Sequence, residues 1–102
     1  MLFQKPIVFA WDKGNNQKNW ERHTVTMEEA EETFFDEKKK IAKHIFQAAQ
    51  EKRYILLGKT KKGILLFIVF TLRSNIVRII SARKTNKKEV SLYEKTTEHS
   101  GI

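Results

Sequence analysis

Three observations make this chain a small α+β domain. Apolar or alternating runs at residues 38–46, 54–59, 64–73 and 76–83 crowd its second half, and the last three are joined by connections too short for a crossover. Reciprocal capping pairs, Thr26 with Glu29 and Asn86 with Glu89, open helices on either side of that block. A length of 102 residues, with no repeat, linker or low-complexity segment, suits one modest core. The expected order is an N-terminal strand and two helices, an antiparallel meander of three to four strands, and a C-terminal helix, in a single domain over residues 1–102.

Residues 7–11 are apolar throughout and follow Pro6, which suits a strand start. The amino terminus shows no small-residue cleavage site and reads as strand, not as signal peptide. Asp12 is placed to cap a polar helix ending near His23, with Trp20 as its buried anchor and a weak first turn around Gly14. Thr26 caps a second helix that should run to about Asp36, with Val25 and Ala30 as its hydrophobic staple. Met27, Ala30, Phe34 and Phe35 form its apolar stripe. Glu28, Glu29, Glu31, Glu32, Asp36 and Glu37 oppose them, and with no histidine or third ligand in place they read as a solvated face rather than a metal site.

Residues 38–46 begin as a lysine run and become an alternating strand, with a loop at 47–52. The three strands that follow are linked by TKKG and RSN, both of hairpin length. Residues 64–70 are apolar at every position, so that strand should be central and covered on both faces. In the last strand Val77, Ile79 and Ser81 should point one way, and Arg78, Ile80 and Ala82 the other. The final helix, roughly residues 87–96, puts Val90 and Tyr93 on one side.

Charge carries the first functional hint. Twenty lysines and arginines against twelve acidic residues give +8 and a pI near 9.8. That balance fits a polyanionic partner: nucleic acid, an acidic protein or an anionic surface. Arg83, Lys84, Lys87 and Lys88 crowd the junction between the last strand and the last helix, where mutual repulsion is a cost unless an anion sits there. With no cysteine, thiolate catalysis, disulfides and cysteine zinc sites are excluded, and a reducing, cytoplasmic setting is favoured. No apolar run approaches the ~20 residues of a membrane span. Gly-rich phosphate loops and the G-x-S-x-G elbow are missing, and His23, His44 and His99 lack ligand spacing.

What remains is a set of cations with a tyrosine, a glutamate and a histidine. Such a set can still cleave RNA, because the substrate brings its own nucleophile, the 2′-hydroxyl. The protein has only to position it, stabilise the phosphorane charge and move two protons. Arginine and lysine supply the charge without a metal.

Trp11-Asp12 followed by KNWERHTVTMEEAEETFFDEKKK (residues 18–40) resembles the opening of the BrnT family of type II toxins. The run from Arg53 to Gly58, then Gly63, Thr71-Leu-Arg73, and RIISAR (78–83) followed by Glu89 and Tyr93, are similar to that family's remaining motifs. Departures are Thr24, where glycine is usual, Lys13, where proline is usual, and the lysine-rich stretch 38–52. The resemblance implies a RelE/ParE-like fold and a small ribonuclease that needs no cofactor. It also implies neutralisation by a BrnA-type ribbon-helix-helix antitoxin, two toxins with two antitoxins, and operator DNA bound only through the antitoxin.

Carried onto this sequence, Arg83 is the first candidate for transition-state stabilisation, followed by Arg53 and Arg73. For all three, and most of all for Arg73, an ion pair with the glutamate-rich helix is the competing reading. Glu89 and Tyr93, one helical turn apart, join the set. Glu89 also reads as the capping partner of Asn86, and Tyr93 as a residue at the core's rim. His23, at a helix end where an imidazolium is stabilised, completes it. Arg78, Lys84, Lys87 and Lys88 read as phosphate contacts that position RNA. Two other classes compete with the nuclease: a non-catalytic basic module holding nucleic acid or an acidic partner, and a ParE-like gyrase inhibitor.

Overall fold

The computed structural model describes residues 7–11, 25–44 and 52–99, so the expected helix at 12–23 and most of the expected loop at 47–52 lie outside the described residues. The strands β1 (Val8–Ala10), β2 (Lys40–His44), β3 (Arg53–Lys59), β4 (Leu65–Arg73) and β5 (Ile76–Lys84) form one sheet in the order β1-β5-β4-β3-β2. The helices are α1 (Met27–Glu32), which runs into a 3₁₀ turn at Thr33–Phe35, and α2 (Lys87–His99). The α+β plan and the meander stand as expected. Beyond them, β1 closes the sheet by pairing parallel to β5, a contact between segments almost seventy residues apart.

Local chemistry explains each corner. Thr26 Oγ1 accepts from the Glu29 N–H (3.1 Å) while Glu29 Oε1 accepts from the Thr26 N–H (2.9 Å), completing the capping box. Val25 and Ala30, the staple pair, are both buried. At the β4–β5 hairpin Ser74 and Asn75 both take positive φ (49° and 68°), the twist that a two-residue hairpin loop demands. At β3–β4 the Thr60 N–H donates to Ile64 O, Thr60 Oγ1 accepts from the Ile64 N–H, and Gly63 takes φ 84°.

Helix α1 stops four residues short of the expected Asp36. Thr33 Oγ1 donates to Ala30 O (2.6 Å), and the chain tightens into the 3₁₀ turn that drives Phe34 into the sheet. Gly58 permits that approach, because a Cβ there would stand 2.7 Å from Thr33 O. Phe34 then packs edge-on against Phe9 (5.2 Å) and Phe70 (5.1 Å), over Leu56, Leu66, Ile68, Val77, Ile79 and Ala82.

The carboxylates of this segment are fasteners, which corrects the reading of a merely solvated face. Glu31 Oε2 accepts from Trp11 Nε1 (2.8 Å) and Glu32 Oε1 from the Lys61 N–H (2.9 Å). Asp36 accepts from the N–H groups of Lys38 (3.0 Å) and Lys59 (2.8 Å) and from the Tyr93 hydroxyl (2.7 Å). Through Asp36 the helical layer, β3 and α2 are tied at one point.

Candidate functional site

The expected alternation in β5 fails, and the failure builds the site. Val69 pairs with Ser81 but Phe70 with Ile79, so Ile80 is an extra residue, a β-bulge. Past the bulge the facing is inverted. Val77, Ile79 and Ala82 all enter the core, while Arg78, Ser81 and Arg83 share the opposite face. A regular strand would have set Arg78 and Arg83, five residues apart, on opposite sides of the sheet.

Register extends this second face across the strands. Arg83 lies beside Phe67, Ser81 beside Val69, and Arg78 beside Thr71, which in turn pairs with Arg53 on β3. Arg53, Thr71 and Arg78 thus make one row across three strands, and Arg73 stands exposed at the hairpin beyond it, opposite Ile76. Cover on this face is incomplete. Leu65 and Phe67 are half-buried, which corrects the expectation that β4 is sealed on both sides.

Arg83 is held rather than loose. Its Nη1 and Nη2 donate to Glu89 Oε1 (2.9 Å) and Oε2 (2.7 Å), Nη1 also reaches Lys84 O (3.1 Å), and its guanidinium lies 4.1 Å from the centre of the Phe67 ring. Glu89 Oε1 also accepts from the Asn86 N–H (3.0 Å), while Asn86 Oδ1 accepts from the Glu89 N–H (2.9 Å). Capping and ion pairing are therefore the same arrangement: the box that starts α2 aims the carboxylate at Arg83. Burial pushes the Glu89 carboxyl up, but hydrogen bonds from Arg83 and Asn86 and the Arg83 charge outweigh it and hold the pKa below the ordinary value.

Tyr93 is at the core's rim. It is buried, its hydroxyl is given to Asp36, and Lys59 Nζ lies 5.6 Å from its ring centre. Burial, that hydrogen bond and the Asp36 charge all raise its pKa. Asp36 shifts the other way: burial raises it, but the three donors and the Lys59 charge bring it below normal. Lys84, Lys87 and Lys88 are exposed around the start of α2. His23 lies outside the described residues.

Two polar atoms of this face stand out. Arg53 Nε and Thr71 Oγ1 are buried with no hydrogen-bond partner among the described residues. Sequence reading missed Thr71 as a site residue, although it begins the T-x-R motif, and missed Asp36 as the anchor of Tyr93.

A family described as "Ribonuclease toxin, BrnT, of type II toxin-antitoxin system" matches residues 11–89. The chain belongs to the BrnT family. The match spans every element from the end of β1 to the Arg83–Glu89 pair. The fold agrees: the 1.1 Å crystal structure of the Brucella abortus ribonuclease toxin BrnT superposes with a TM-score of 0.59 at 18% identity, over 79% of this chain and 99% of that one. A comparison with curated proteins returns no match. As a BrnT-family ribonuclease toxin of a type II system, the chain has an antitoxin for a partner. Among the described residues no helix is long and apolar enough to cross a membrane, and no three histidine, aspartate or glutamate side chains are grouped to hold a metal ion.

Proposed function

We propose that this BrnT-family chain is a cytoplasmic endoribonuclease, acting as one domain, that cuts RNA by attack of a 2′-hydroxyl on the adjacent phosphate. The 2′-oxygen bonds to phosphorus, the P–O5′ bond breaks, and the products are a 2′,3′-cyclic phosphate and a 5′-hydroxyl. One proton leaves the 2′-hydroxyl and one reaches the 5′-oxygen. The observation that carries this reading is the collection of Arg53, Arg78 and Arg83 on one incompletely covered face, with exposed Lys84, Lys87 and Lys88 at its margin.

In this mechanism Arg83 stabilises the charge that develops on the phosphorane, and Arg53 and Arg73 add positive potential from farther along the face. Glu89 positions Arg83; held ionised by its donors, it is a weak proton acceptor. Tyr93, whose hydroxyl keeps its proton and donates to Asp36, anchors α2 and so supports that aim. His23 is the remaining proton carrier of the set. Arg78 and the lysines hold the RNA strand by its phosphates. The antitoxin, of BrnA-like ribbon-helix-helix type and joined as two toxins with two antitoxins, covers this basic surface or its rim and supplies the contact with operator DNA.

The test is incubation of the purified chain with a short labelled RNA in EDTA, with Arg83→Ala alongside and end-group analysis of the products. Native protein should yield cyclic-phosphate ends, and the variant should cleave about 10²–10³-fold more slowly with its circular dichroism unchanged. Intact RNA in the native lane, with binding retained, would replace the nuclease by a binding module.

A further inference from the structure

We propose that Thr71 and Arg53 form the floor of a second phosphate subsite for the RNA strand, distinct from the Arg83 end of the face; the proposal rests on the ribonuclease reading. Thr71 is fully buried, and directly opposite it on β3 stands Arg53. The two buried atoms with no hydrogen-bond partner among the described residues, Thr71 Oγ1 and Arg53 Nε, therefore belong to neighbouring side chains on one face. A buried polar atom left unpaired is a penalty that valine, nearly the same shape, would avoid at this position. Two such atoms side by side point to a shared acceptor. The guanidinium can only donate and the hydroxyl is able to, so the group that satisfies both is an oxygen with lone pairs to spare.

Charge selects the kind of oxygen. Arg78 flanks Thr71 on β5, so the row presents two guanidinium groups around one hydroxyl, and an anionic oxygen is favoured over a neutral one. Arg83 lies four β4 positions away, from Thr71 to Phe67, which is roughly 13 Å along the strand. Its backbone is too distant for the row to be one more part of the same binding point. A single strand of RNA, with phosphates at regular intervals, occupies both ends of such a face. Both unpaired atoms are buried, so an entering phosphate reaches them by displacing the side chains that cover the row.

The experiment compares Thr71→Val, Thr71→Ser and Arg53→Gln with the native chain in three measurements. These are the melting temperature, binding of a short 2′-O-methyl RNA that cannot be cleaved, and cleavage of the matching labelled RNA. Thr71→Val should melt at or above the native temperature, yet bind the 2′-O-methyl RNA about tenfold more weakly, with serine restoring binding. Its salt dependence should match the native chain, because no charge was lost, whereas Arg53→Gln should lower the salt slope by about one phosphate. Native-like binding by Thr71→Val overturns the subsite, and so does a lowered melting temperature, which would make the hydroxyl structural. Weaker binding of polyglutamate but not of RNA by Thr71→Val would assign the row to an acidic protein and overturn it as well. If the native chain leaves RNA uncut but Thr71 still governs RNA binding, the nuclease reading fails and the subsite stands.

Discussion

On one face of the sheet Leu56, Ile68, Phe70, Val77 and Ile79 are sealed beneath Ala30 and Phe34. On the other, Arg53, Arg78 and Arg83 stand among Thr71 and Phe67, with α2 packed over part of β2 and β3. The first face stabilises the chain by taking apolar surface out of water, about 1.5–3 kcal/mol for each large side chain. The second face gathers like charges that repel and leaves, among the described residues, two buried polar atoms without hydrogen-bond partners. Neither property helps a protein fold. The contrast sets the larger apolar core on one side of a five-stranded sheet and the candidate site on the other.

The largest loss should come from carrying a charge across to the packed face. Deleting Ile80 would not do so, because without the surplus residue Arg78 and Arg83 stand four positions apart and keep the same face. Ala82→Arg does: it sets a guanidinium at a fully buried position paired with Ile68. An unpaired buried charge costs about 3–5 kcal/mol before overpacking is added, a large share of the roughly 5–15 kcal/mol that holds such a domain together. The expected outcome is loss of cooperative unfolding by circular dichroism. A folded Ala82→Arg variant with native activity would show that the packed face of β5 tolerates a charge.

Next in size is Phe34→Ala, confined to the packed face. Phe34 is fully buried between Phe9 and Phe70, so truncation should cost about 3–5 kcal/mol in urea unfolding. Below the new transition the surviving folded fraction should cleave RNA at the native rate per folded molecule. A fall in specific activity larger than the fall in folded fraction would couple the two faces.

These elements differ in how far they could be read ahead. The capping boxes, the staple and both hairpins were legible because each is settled by residues within a few positions of one another. The parallel pairing of β1 with β5 and the bond from Tyr93 to Asp36 join distant segments, and nothing local marks them. The bulge was hidden for a subtler reason. Ile80 continues an alternating apolar pattern, so the strand reads as regular, and only its register against β4 shows that one residue is surplus. The candidate site inherited that gap: each arginine was recognised by type and motif, but not the facing that unites Arg78 with Arg83. Thr71 was passed over because a threonine in a strand is ordinary until its hydroxyl is seen buried with no hydrogen-bond partner among the described residues.

A milder substitution separates two roles carried by one carboxylate. Glu89→Gln keeps an oxygen for the Asn86 N–H, and glutamine serves in a capping box, but it removes the charge that pairs with Arg83. Stability at neutral pH should fall by under about 1 kcal/mol, as for a partly exposed ion pair. The pH dependence should change with a definite sign. The folded-state pKa of Glu89 lies below its unfolded value, so its contribution is complete above that unfolded value, about 4.3, and is lost as pH falls through the folded one. Glu89→Gln should therefore flatten part of the acid limb of a melting-temperature profile, leaving the part that belongs to Asp36, whose pKa is also lowered. Cleavage should drop by more than the stability change accounts for, since an unaimed Arg83 stabilises the transition state poorly. If stability and the acid limb change as expected but cleavage does not, Glu89 serves only the helix, and Arg83 finds its working position without it.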